Sequence, residues 1–180
     1  TDVAELLNRA RTQAIASELD ASYRIPSGGY GVFFDLTADP DTETQNVVLF
    51  IDDWNESDGT AVNVNYADED IDNRVLADGI YTAGSDTEIE TIEVNATNYI
   101  VMTELFGELV SGGDWAYAVG NTITVIFLPP YAETTILGNS SESLQNFTVK
   151  FDFLTGDTAR TIELNRVTTA PQIFKNVDPH

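Results

Sequence analysis

The sequence predicts an α+β fold: one N-terminal amphipathic helix packed on antiparallel β-sheet. Three observations predict it. Apolar residues recur at three-and-four spacing through the first two dozen residues, as a helix with one buried face requires. Beyond Gly29 they fall in short runs rich in Val, Ile, Phe, Tyr and Thr, several alternating with polar residues, as half-buried strands do. Turn pairs such as Asp58-Gly59, Asp78-Gly79, Gly112-Gly113, Pro129-Pro130 and Gly138-Asn139 separate the runs.

The helix is expected from Thr1 to about Tyr23. Thr1 or Asp2 can cap it, and Glu5 can reach back to Asp2 in a capping box. Val3, Leu6, Leu7, Ala10 and Ala14 form the stripe expected to pack against the sheet or a neighbour, and Ile15 and Leu19 widen it. About twenty helical residues are marginal alone in water, whereas each fully buried Leu or Ile contributes roughly 1.5–3 kcal/mol. Packing must hold this helix. Pro26 disfavours helical geometry at Ile25, and Gly28, Gly29 and Gly31 allow the chain to turn into a strand. A helix already primed with apolar side chains at its first residues reads as the lower part of a longer element.

Strands are expected at Tyr30 to Leu36, Asn46 to Trp54, Ala61 to Tyr66, Glu88 to Val94, Tyr99 to Leu105, Thr122 to Leu128, Phe147 to Leu154 and Arg160 to Thr168. Phe147, Val149, Phe151 and Phe153 against Thr148, Lys150 and Asp152 show the cleanest alternation. Asp35 to Asn46 and Asn139 to Ser143 read as polar loops, and the last residues from Phe174 as partly a tail. With 180 residues, 42% of them hydrophobic, the chain can bury the core of one domain, 1–180, with its helix in 1–23 and its β-rich part in 29–175.

Thirty acids against eight Lys and Arg leave a net charge of −22. Such a surface repels phosphate backbones and anionic headgroups, so nucleic acid is not an expected partner. Between Asp35 and Asp114 the only basic residue is Arg74. That stretch needs solvent, salt or a bound cation to relieve its repulsion. A calcium ion is the cofactor expected if a cation is used. Asp52, Asp53, Asn55 and Ser57 put oxygen ligands at short spacing before the Asp58-Gly59 turn, and Asp68, Asp70, Asp72 and Asp78 form a second acidic group. The spacing is not that of an EF-hand, because the glycine is displaced by one and Val64 stands where the bidentate glutamate belongs. The alternative reading of both groups is a solvated acidic surface.

Catalysis finds little footing. His180, at the chain end, is the sole histidine and cysteine is absent, which removes imidazole-based triads and thiolate metal sites. Lys150 lies on the polar face of its strand, and Gly28-Gly29-Tyr30-Gly31 precedes a strand and not a helix, unlike a phosphate-binding loop. Trp54, Trp115, Tyr66, Tyr81, Tyr117 and Tyr131 fall near loops or strand ends, where rings can stack on sugars or on a partner.

Several segments carry a resemblance. Leu7-Asn8-Arg9-Ala10-Arg11-Thr12-Gln13-Ala14-Ile15-Ala16, then Gly29-Tyr30-Gly31-Val32-Phe33-Phe34-Asp35, resembles bacterial type IV pilin-like proteins, particularly the H-type pseudopilins of type II secretion and related minor pilins. Asp78 to Glu93, Ile123 to Pro130 with its Phe-x-Pro ending, and Arg160 to Val167 are similar to later parts of that family, with Arg166 where the family has glycine. The resemblance implies a pilin-like fold and a structural role by assembly, not turnover. It implies partners among other pilin-like subunits and their assembly machinery, at the periplasmic or extracellular face. Contact with a membrane is expected only through an apolar segment upstream of Thr1. The family's assembly glutamate is not carried onto Glu5, whose surroundings differ. The other expectation is a calcium-dependent binding or adhesin module.

Overall fold

The computed structural model describes residues 2–16, 28–39, 43–52, 81, 83–84, 86–95, 97, 100–111, 114–117, 122–139, 142–153 and 158–175. One helix, α1 (Asp2–Ala16), precedes ten strands: β1 (Tyr30–Asp35), β2 (Gln45–Ile51), β3 (Thr87–Val94), β4 (Ile100–Leu109), β5 (Asp114–Tyr117), β6 (Thr122–Leu128), β7 (Glu133–Gly138), β8 (Glu142–Phe153), β9 (Thr158–Asn165) and β10 (Gln172–Lys175). All pair antiparallel in one sheet of order β10-β9-β8-β7-β6-β1-β2-β3, with β4 on β8 and β5 on β4.

This corrects the expected α+β, pilin-like class. The molecule is mostly β, a sheet curled into a half-barrel with one short helix against it. The helix is a plug for the concave side and not a layer of its own. Strand twist bends any wide sheet, and bulges add curvature: Ile89 of β3 is the extra residue opposite Leu49/Phe50, Thr103 is extra in β4 between Met102 and Glu104, and Gln145 is extra in β8 opposite Glu108/Leu109. Long β8 is the pivot. Its first residues pair with β7, the remainder with β9, and its other edge carries β4.

Strand alternation builds the core. Tyr30, Val32 and Phe34 of β1, Val47 and Leu49 of β2, Ile123, Val125 and Phe127 of β6, and Phe147 and Val149 of β8 all face the concave side and are buried. Phe34 and Phe147 meet there, ring centroids 5.3 Å apart. The central strands are covered on both faces. Val48, Phe50 and Ile126 form a second, convex-side cluster, and the Tyr81 ring lies 4.8 Å from Phe33 and 5.1 Å from Phe50. Gly31 is needed beneath this cluster, because a Cβ there would overlap the Phe50 ring and approach Ile126 to 2.7 Å.

Where the curl brings β4 back beside β2, a side chain replaces the ladder. Buried Gln45 accepts from the Met102 N–H at 2.8 Å and donates to the Met102 carbonyl at 3.0 Å. Its amide thus stands in for a backbone unit joining strands that are not neighbours in the sheet.

The strands expected from sequence differ from the observed ones in at least four places. β5, β7 and β10 are not among the expected strands, and β8 starts inside the expected loop at Asn139 to Ser143. The Ala61 to Tyr66 run and residues 17–23 of the expected helix lie outside the described residues. Among the described residues no helix is long and apolar enough to cross a membrane.

Candidate assembly surfaces

The helix seat comes first. Val3, Leu6, Leu7, Ala10 and Ala14 are all buried in the main core, together with Ala4, and α1 rests on β1, β2 and β6. Ile15, expected to widen the stripe, is instead half-exposed. Ala10 and Ala14 are small and fully buried, and Leu6 and Leu7 share the core cluster with Val32 and Phe34. Two arginines fasten the helix at opposite ends of the curl. Arg9 forms an ion pair with Glu90 of β3, and Arg11 donates from Nε to Thr169 Oγ1 at 2.9 Å in the turn after β9. Glu5, Asn8 and Thr12 keep the opposite helix face exposed.

A second surface lies at the end of the sheet nearest that turn. Val110, Tyr131, Ala132, Glu133, Thr134, Gln145, Arg166, Val167 and Thr169 line an open groove of about 490 Å³. Tyr131 is 90% exposed and Val167 88%, with Val110 half-exposed beside them. Single exposed apolar residues need no explanation, but a group of them around one groove marks a contact surface. The turn holding Tyr131 follows the cis Pro129–Pro130 peptide, and Ala132 takes a left-handed φ of 51°. The Thr134 hydroxyl donates to the Ala132 carbonyl at 3.1 Å. Arg166 ties the two walls together: its Nε donates to the Thr134 carbonyl at 3.0 Å, and its backbone N–H donates to Gln145 at 2.8 Å.

Comparison with family models, with curated proteins and with solved structures finds no match to this chain.

Of the residues expected to hold a metal, Asp53, Asn55, Asp70, Asp72 and Asp78 lie outside the described residues. Asp52 closes β2, where its N–H donates to the Gly29 carbonyl at 3.1 Å, and it is only 1% exposed. No group of three or more metal-ligating side chains occurs among the described residues. Lys150 is on the convex face, as its strand position requires, where it pairs with Glu104 at 3.7 Å. Tyr81, expected near a loop as a stacking ring, donates its hydroxyl to Glu88 and packs on the convex cluster. Desolvation, then the Glu88 hydrogen bond and the charges of Glu88 and Asp86, push its phenol well above the ordinary range.

The groove was only partly legible in sequence. Tyr131 stood out as an aromatic beside a turn, but Val167 was placed within a strand. Asn165 decides otherwise: its side chain accepts from the Val167 N–H at 2.8 Å and its carbonyl accepts from the Thr169 N–H at 2.9 Å, so the chain turns there. An Asn before a polar Thr-Thr pair was the available signal.

Proposed function

We propose that this chain is a structural module, the β-rich domain of a filament subunit of the kind the sequence resemblance implies, acting by assembly and not by turnover. One observation carries the reading. An amphipathic helix lies across the concave side of the sheet, tied from its middle to β3 by Arg9 and to the turn after β9 by Arg11, with its opposite face open to a neighbour. That arrangement suits a helix that continues upstream into a membrane or a filament core. The upstream coding sequence tests it together with imaging of cells that express the full-length chain. A basic leader, an apolar segment and surface filaments containing the protein are expected. A plain secretion signal followed by further β modules, with no filament, would remove the reading.

A second reading, a calcium-dependent binding module, rests on the acidic run itself, whose clustered carboxylates from Asp52 to Asp58 and from Asp68 to Asp78 repel one another unless a cation relieves them. Thermal denaturation with saturating calcium and with chelator decides it, since a native-state ligand raises the midpoint by mass action. An unchanged midpoint would discard calcium.

A further inference from the structure

Four asparagines stand in Asn-x-Ser/Thr triplets with no proline between: Asn55-Glu56-Ser57, Asn95-Ala96-Thr97, Asn139-Ser140-Ser141 and Asn146-Phe147-Thr148. That triplet is what an N-glycosyltransferase reads, and a folded domain can carry the sugar only where the asparagine amide stands clear of it. The structure sorts the four. Asn146 lies inside β8 beside buried Phe147, and both atoms of its amide are taken: Nδ2 donates to Glu108 Oε2 at 2.9 Å, and Oδ1 accepts from the Glu108 N–H at 3.2 Å. A sugar on that nitrogen would have to displace Glu108. Asn95 is half-buried and partnered just after β3, and Asn55 lies outside the described residues. Asn139 differs from all three. It is exposed in the turn after β7, with a left-handed φ of 44° that Asn adopts more readily than most residues. Its N–H donates to the Thr122 carbonyl at 3.0 Å and its Oδ1 accepts from the Thr122 N–H at 3.3 Å, so it lengthens the β6–β7 ladder by one residue. The amide oxygen is thereby held against β6. Among the described residues, nothing takes Nδ2.

We propose that Asn139 is the position at which the folded domain carries an N-linked glycan, taken from a lipid-phosphate-linked oligosaccharide. In the transfer Nδ2 attacks the anomeric carbon of the donor sugar. The new C–N bond replaces the C–O bond to phosphate, the phosphate leaves with the electron pair, and one amide proton passes to a base of the transferase. The inference rests on the outer-surface location in the filament reading, where a glycan-bearing chain is exposed, and it adds a modification to that reading. The placement is compatible with contacts elsewhere on the domain. Asn139 and Tyr131 lie beyond opposite ends of β7, whose six residues span about 20 Å. A glycan on Asn139 therefore grows from the rim where the end of β1 meets the start of β6, Asp35 opposite Thr122, and leaves the Tyr131 side open.

Peptide mass spectrometry of the full-length chain, recovered from the cells that naturally make it, tests this. Cleavage after glutamate yields residues 134–142, which hold Asn139 alone of the four asparagines, and residues 143–163, which hold Asn146 alone. The first peptide is expected to carry an added mass that fragments as a series of sugar residues, and the second to carry none. Ser141→Ala should abolish the addition while Asn139 keeps its turn, and Ser141→Thr should retain it. A change of the asparagine that is not read through the triplet, such as deamidation, would survive Ser141→Ala. An unmodified 134–142 peptide, an addition that survives Ser141→Ala, or a sugar on Asn146 would each overturn the proposal. Cell fractionation separates this failure from that of the filament reading. Chain at the cell surface without the sugar removes the glycan alone, whereas unmodified chain confined to the cytoplasm removes both.

Discussion

Single side chains do work here that their type does not announce. Gln45 is the clearest case. Its amide satisfies the N–H and the carbonyl of Met102 on a strand that is not its sheet neighbour. In Gln45→Leu both groups are left buried without partners, at a cost of about 1–3 kcal/mol each. Urea denaturation should show that loss, whereas a substitution at exposed Tyr131 should shift stability by no more than about 0.5 kcal/mol. Tyr81 sets a pH dependence. Its folded phenol titrates above the ordinary value of 10.0 that the unfolded chain keeps, so the unfolded state releases its proton first. The contribution of Tyr81 is therefore complete below pH 10 and declines as pH rises above it. Measured stability should fall more steeply above pH 10 in the wild type than in Tyr81→Phe; parallel curves would refute the assignment.

Among the elements, α1 shows how far periodicity reaches. The stripe of Val3, Leu6, Leu7, Ala10 and Ala14 is visible in the spacing alone, because a helix must turn one face inward every 3.6 residues. What spacing does not reveal is which strands receive that face, since β6 reaches it from more than a hundred residues away. Leu7 is fully buried there, and Leu7→Ala should cost about 2–5 kcal/mol in equilibrium unfolding. A smaller effect would mean that the helix is loosely seated. The strands divide in the same way. Glu88 to Val94 and Thr122 to Leu128 declare themselves by β-branched content, whereas Glu133 to Gly138 carries the same kind of residues, Thr134, Thr135 and Ile136, in a shorter run close behind the Pro129-Pro130 turn and is not among the expected strands. Pairing with β6 and β8 makes it a strand.

At the scale of the whole molecule, charge and curvature dominate. A net charge of −22 makes the compact state repel itself, and salt shortens the reach of that repulsion from about 30 Å at 0.01 M to about 3 Å at 1 M. The thermal midpoint of the chain should therefore rise with sodium chloride over that range. A flat response would mean that the acids are already neutralised locally. The expected α+β class failed at this scale too. Composition and alternation predict a helix and strands, but the number of strands joined in one sheet, and whether that sheet lies flat or curls, depends on bulges and on contacts such as Gln45 with Met102. The order of local elements, the inward residues of α1 and the acidity of the middle region are written in the residues themselves, because backbone propensity and side-chain period act over a few positions. The curl and the groove under Tyr131 arise only on folding, because each joins residues distant along the chain whose meeting is decided by packing.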